Sequence, residues 1–148
     1  IEGAQYTRKG DEYDLNVVGW RTPQIWHDIN FSTGNPVLTE VSAMHPHFGK
    51  LLINPATAKA KGLRNGDKVY VQNKYGAQIG PVPILTSETM HPEALGIAGG
   101  AARKASRFNP VNNAAEVSWN RLIPIGWDTV DPVTGALDIS PAVKIRKA

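Results

Sequence analysis

The chain has 148 residues, 41% of them hydrophobic and 20% charged, with a net charge of +3. That length and balance suit one folded domain and exclude a disordered tail. Cysteine is absent, so disulfides, a thiol nucleophile, a thiolate zinc site and a Cys-ligated iron–sulfur cluster are excluded within this chain.

The 14 glycines and 11 prolines exceed the usual share of roughly 12% and favour short elements joined by turns over a helical bundle. The longest nearly apolar stretch, Ala94–Ala102, is about half of the ~18–20 residues of a membrane span, so no direct membrane insertion is expected. The mild positive charge admits an anionic partner without requiring nucleic acid. A start at Ile1 rather than Met reads as a processed chain or an excised domain.

Residues 1–12 are polar and read as a lead-in to a domain over 13–148. Tyr13–Trp20 alternates as a strand, with Tyr13, Leu15 and Val17 on one face. Arg21-Thr22-Pro23 breaks it. From Pro23 to Pro36 the chain is irregular and rich in Gln, His, Asn, Ser and Thr, interleaved with tryptophan and phenylalanine. A loop of that length and content points to function. Val37–Met44 suits a short helix, and His45-Pro46-His47 a structural turn. Leu51–Ile53 reads as a buried strand. Asn54-Pro55 is a helix start, with Asn as N-cap and Pro at the first helical position. Gly62 sits where a left-handed C-cap belongs.

Leu63–Asp67 is a tight turn and Lys68–Gln72 an alternating strand. Asn73–Gly76 is a hairpin turn leading to the partner strand Ala77–Leu85. Pro81 and Pro83 lie two apart there, which favours an edge or a bulge over a central strand. Ile97–Ala102 suits either a strand or a close-packed loop. Arg103–Val117 is polar, Asp131–Gly135 is a turn, and Ala142–Arg146 alternates as a last strand. The pattern is mainly β, with one or two short helices.

The unit Leu51–Gly76 runs strand, capped helix, glycine stop, Gly-Asp turn, strand, hairpin turn. Such a unit builds double-psi β-barrels. It resembles the C-terminal, molybdopterin-dinucleotide-binding domain of the dimethyl sulfoxide reductase family of molybdopterin oxidoreductases. The resemblance rests on Leu52-Ile53, Asn54-Pro55, Ala58, Gly62-Leu63, Gly66-Asp67 and Val69 with Val71. Upstream, Val17–Arg21, His27, Ser32–Pro36 and Leu38 follow the family's order. Downstream, Asn120-Arg121-Leu122, Asp131-Pro132 with Gly135, and Val143–Arg146 follow it too. The likeness covers roughly 13–147.

The resemblance implies a double-psi barrel of the aspartate-decarboxylase-like type. It implies a module holding bis(molybdopterin guanine dinucleotide), with molybdenum or tungsten, for two-electron oxo- or sulfur-transfer chemistry. The tail and first loop look closest to the polysulfide, thiosulfate and tetrathionate reductase branch. No catalytic residue and no metal ligand are expected in this chain. The partners implied are the remaining domains of the same polypeptide, an iron–sulfur electron-transfer subunit and a membrane anchor subunit. An iron–sulfur cluster is expected elsewhere in the full enzyme.

A dinucleotide with a diphosphate and a heteroatom-rich pterin needs cations and N–H donors for its phosphates, and amides and hydroxyls for its ring edges. The candidates are Trp20, Arg21, Thr22, Gln24, His27, Ser32, Thr33, Asn35 and Asn120. Gly19 and Gly34 suit a close approach of backbone to ligand. Three other readings compete. A self-processing aspartate-decarboxylase-type enzyme requires a Gly-Ser dipeptide, which the sequence lacks. A non-catalytic partner-binding barrel explains the Gly66-Asp67 turn but not the Trp20–Asn35 block. A free-standing small subunit would carry the same domain in a different architecture.

Overall fold

Short segments with an apolar residue at every second position have one stable use, which is to turn that face onto a shared core. In the computed structural model, residues 11–20, 36–98, 119–127 and 129–148 are described. They form β1 (Leu15–Trp20), α1 (Pro36–Ala43), β2 (Leu51–Ile53), α2 (Pro55–Ala60), β3 (Lys68–Asn73), β4 (Gln78–Thr86), β5 (Ala94–Ala98), a 3-10 turn (Trp119–Leu122) and β6 (Ala142–Lys147). The strands close into a barrel in the order β1-β5-β2-β4-β3-β6. The fold is mainly β and of the double-psi type. Two of its pairings, β1 with β5 and β2 with β4, are parallel. Parallel neighbours cannot be joined by a hairpin, so long connections must cross the barrel ends.

The alternation places Leu15, Val17, Val69, Val71, Val82, Ile84, Leu95, Ile97 and Val143 in one core. Leu122 of the 3-10 turn is fully buried and plugs one end of it. β5 begins at Ala94, three residues before the strand expected at Ile97, and Ala98 is its last residue. Residues 99–118 lie outside the described part.

Strand β4 corrects the expectation drawn from its prolines. It is not an edge, because β2 and β3 flank it and the closed barrel has no edge. The other expectation, a bulge, is met: Val69 pairs with Val82 and Val71 with Ile79, so β4 advances three residues while β3 advances two. The extra residue moves the inward positions of β4 from Ile79 to Val82 and Ile84, all buried. A missing proline N–H is tolerated where the ladder is already irregular.

Helix α2 is terminated at both ends by local chemistry. The Asn54 side chain accepts from the Ala56 N–H at 2.9 Å and donates to the Met90 carbonyl at 2.8 Å. Lys61 closes the helix, and Gly62 follows at φ +67°. Its N–H donates to the Lys59 carbonyl and the Leu63 N–H to the Ala58 carbonyl, at 3.0 and 2.8 Å. That is the Schellman pattern, with Leu63 and Ala58 buried beneath it.

Beyond the helix, the Asp67 carboxylate holds the turn. It accepts from the Lys147 ammonium at 2.8 Å and the Arg64 N–H at 2.9 Å. These donors, Lys147 first, hold its carboxyl below the usual carboxylate range. Asp131 is lowered too, by the N–H groups of Thr134 at 2.8 Å and Val133 at 2.9 Å. A carboxylate whose folded pKa is depressed contributes stability above its unfolded pKa and loses it as pH falls through the folded value. Urea unfolding should therefore show lower stability at pH 3 than at pH 6. The pH dependence should be shallower in Asp67→Asn and Asp131→Asn, and an unchanged slope would refute these assignments.

Candidate functional site

The topology gathers several separate segments at one end of the barrel. Trp20, at the C-terminal end of β1, pairs with Ala98 at the C-terminal end of β5. Those strands are parallel, so segments 21–35 and 99–118 both leave from this end. β2 runs antiparallel to β5, with Leu51 opposite Ile97. The residues just before β2, including His45 and His47, therefore stand at the same end. The β3–β4 hairpin lies on this side as well, since β6 runs antiparallel to both β1 and β3, so that β3 ends in the direction in which β1 ends.

Asn73 is the third inward position of β3, after Val69 and Val71, and it is 1% exposed. Its amide makes three hydrogen bonds. The side-chain oxygen accepts from the N–H of Tyr75 at 3.0 Å and of Ala77 at 2.9 Å, and the side-chain nitrogen donates to the Leu122 carbonyl at 2.9 Å. One residue thus shapes the hairpin and ties the 3-10 turn to the barrel mouth. Asn120, a predicted cofactor residue, rides on that turn and is exposed.

Gly19 was expected to give a ligand close access to backbone. On the side where a Cβ would stand, protein already lies. A Cβ there would lie 3.2 Å from the Trp119 ring. Residues 15, 17 and 19 share the inward face of β1, so the absent side chain lets the Trp119 indole cover the mouth.

Trp20 points the other way. Its indole meets His47 edge-on with ring centroids 5.5 Å apart, and lies 6.4 Å from His45. The two imidazoles are 5.1 Å apart. The His45–His47 segment is a turn, as its sequence suggests: the His47 N–H donates to His45 Nδ1 at 3.3 Å. The Trp20 Nε1 and the hydroxyl of Ser42, in the last turn of α1, are buried with no hydrogen-bond partner among the described residues. Each such atom costs roughly 1–3 kcal/mol if left unpaired. An indole N–H only donates, so this corner calls for a ligand rich in acceptors.

Of the other predicted residues, Arg21, Thr22, Gln24, His27, Ser32, Thr33 and Asn35 lie outside the described residues, as does Gly34. In sequence they follow the end of β1 and precede α1. Among the described residues no group of three or more His, Asp or Glu could hold a metal ion.

Residues 17–136 match the family profile of the Molydopterin dinucleotide binding domain. The chain belongs to this family. Among solved structures it is similar to acetylene hydratase from Pelobacter acetylenicus, with a TM-score of 0.68 and 17% sequence identity, over 93% of this chain. At that identity the likeness speaks to the fold. The chain spans only 19% of the acetylene hydratase chain.

As a molybdopterin dinucleotide-binding domain, the chain needs N–H and O–H groups turned toward a ligand. The Trp20 Nε1 and the Ser42 hydroxyl, without partners among the described residues, are groups of that chemistry, so the residues present fit the cofactor. The sequence reading included Trp20 but took His45 and His47 as a turn alone and passed over Ser42. The signal was not in the local pattern. It arises from the pairing of β1, β5 and β2, which brings Trp20 together with His45 and His47.

Proposed function

We propose that this domain is the cofactor-holding part of a larger molybdenum or tungsten oxidoreductase. Its ligand would be the guanine form of the dinucleotide, in the bis arrangement, and the branch that of polysulfide, thiosulfate or tetrathionate reductases. The observation that carries the reading is the convergence of Trp20, the His45–His47 turn and the Asn120 turn at one barrel end, within a chain of this family. When bound, the cofactor supplies two-electron oxo- or sulfur-transfer chemistry.

The chain's own groups bind and orient it. Arg21 and His27 would meet phosphate oxygens or pterin acceptors, and Thr22, Gln24, Ser32, Thr33, Asn35 and Asn120 the ring edges and ribose. An iron–sulfur cluster would sit in the remainder of the enzyme, with electron-transfer and membrane-anchor subunits as partners. Several large apolar side chains are exposed here, Trp127 fully, Met44 at 81% and Ile125 at 84%. We assign them to contact with the remaining domains of the same polypeptide.

The test removes residues 13–148 from the full-length polypeptide. Molybdopterin content should fall to near background. Acid hydrolysis of the intact enzyme should release GMP, and elemental analysis should find molybdenum or tungsten. Reduction of polysulfide, thiosulfate or tetrathionate by the intact enzyme would support the branch. Unchanged cofactor content after the deletion would overturn the binding role.

A further inference from the structure

We propose that the corner formed by Trp20, Ser42 and His45 is a hydrogen-bond donor site for an anionic, acceptor-bearing part of the bound dinucleotide. The inference rests on the cofactor-binding role and deepens it. It adds the α1–β2 connection to the binding surface, a segment that reads in the sequence as a mere turn.

Three observations carry it. First, two polar atoms from different elements are buried with no partner among the described residues, Trp20 Nε1 at the end of β1 and the hydroxyl of Ser42, whose carbonyl accepts from the His45 N–H at 3.0 Å. Buried polar atoms in folded proteins nearly always find partners, so a pair of orphans marks a place where something else binds. Second, the chemistry of the corner is donor-rich. Trp20 Nε1 can only donate. His45 Nδ1 accepts from the His47 N–H at 3.3 Å, which leaves Nε2 as the proton-bearing nitrogen of the neutral ring. Ser42 can donate as well. A cation has no use for such a set, whereas phosphate oxygens and pterin oxygens do.

Third, the corner is pre-organised. The Trp20 and His47 rings meet edge-on at 5.5 Å, and His45 and His47 at 5.1 Å. Trp20 is fixed by five parallel ladder positions between β1 and β5. A donor held in place before binding loses little freedom when the ligand arrives.

The experiment uses the full-length polypeptide, wild type and with Trp20→Phe or Ser42→Ala. Phenylalanine keeps an aromatic ring and deletes only the N–H side of the indole. Alanine keeps the bulk of the serine and deletes its hydroxyl. Two quantities are read: the apo protein's thermal midpoint, and the dinucleotide retained per protein after extensive dialysis. The expected result is an apo midpoint unchanged or raised in Ser42→Ala, which removes only an unpaired hydroxyl, with retention reduced about tenfold in Trp20→Phe.

Titrating the apo proteins with guanosine diphosphate then separates the two sources of acceptor. Weaker diphosphate binding by Trp20→Phe assigns the corner to the phosphates. Equal diphosphate binding, with retention still lost, assigns it to the pterin. Wild-type retention in both variants overturns the inference while leaving the domain's role standing. A lowered apo midpoint in Ser42→Ala also overturns it, because that hydroxyl would then serve the fold. If the wild type itself holds no dinucleotide, the cofactor-binding role falls and the inference with it.

Discussion

Replacing Gly80 by alanine should destabilise the protein by about 3–5 kcal/mol, the largest effect expected of any single methyl added to this barrel. Gly80 has φ +117°, a region that residues with a side chain rarely occupy. Its added Cβ would also lie 2.7 Å from the Val69 carbonyl oxygen and 3.1 Å from the Tyr70 Cα. Both neighbours are backbone of β3, which cannot turn aside as a flexible side chain could. Relief would require undoing the bulge, and then Ile79 or the pair Val82 and Ile84 would face outward.

A control separates clash from conformational strain. Gly76 has φ +88° with nothing within 4 Å of a built Cβ, so Gly76→Ala should cost only about 1–2 kcal/mol. Urea unfolding midpoints of the two variants decide it. Equal losses would show that the close approach to β3 contributes nothing.

The second large effect is expected at Asn73. Asn73→Ala removes three hydrogen bonds at a site 1% exposed and leaves the Leu122 carbonyl and two N–H groups unpaired. The cost should be about 2–4 kcal/mol, and the Trp119–Leu122 turn should loosen with it. Cofactor retention should fall in parallel, because Asn120 rides on that turn.

Asn73→Asp sharpens the test through its sign. The new carboxyl keeps the two acceptor contacts but faces the Leu122 carbonyl where a donor belongs. Burial and that carbonyl favour the neutral, proton-donating form, so the folded pKa lies above the unfolded value near ~3.9. The folded state then binds more protons, and stability is lost as pH rises through the folded pKa. Stability measured from pH 4 to pH 8 should fall for Asn73→Asp relative to wild type. A flat difference would place the Asn73 nitrogen elsewhere than against Leu122.

Much of the fold can be read in the chain because its causes are local. Asn54-Pro55 starts a helix since a side-chain oxygen two residues upstream can meet the Ala56 N–H. Gly62 ends it since the Schellman geometry needs a positive φ. The Asp67 turn and the Asn73 hairpin also close within a few residues, though both reach further: Asp67 to Lys147 and Asn73 to Leu122. Periods of two placed β1, β3 and β6 to within about two residues, and ordered motif blocks pointed to the cofactor.

Tertiary structure decided what depends on neighbours distant in sequence. Pro81 and Pro83 signal an irregular ladder equally well at an edge or inside a closed barrel, and only the pairing of β4 with both β2 and β3 selects the second. Gly19 signals close approach, but a missing Cβ does not name its guest, which is Trp119. The donor corner has no motif at all, because Trp20 meets His45 and His47 only after β1, β5 and β2 have paired. Composition, caps, turns and alternation therefore determined a mainly β domain, and the resemblance carried by its motif blocks implied the cofactor. The barrel's closure decided which side chains share its mouth, because contact across a sheet depends on register, and register is settled by packing of the whole core.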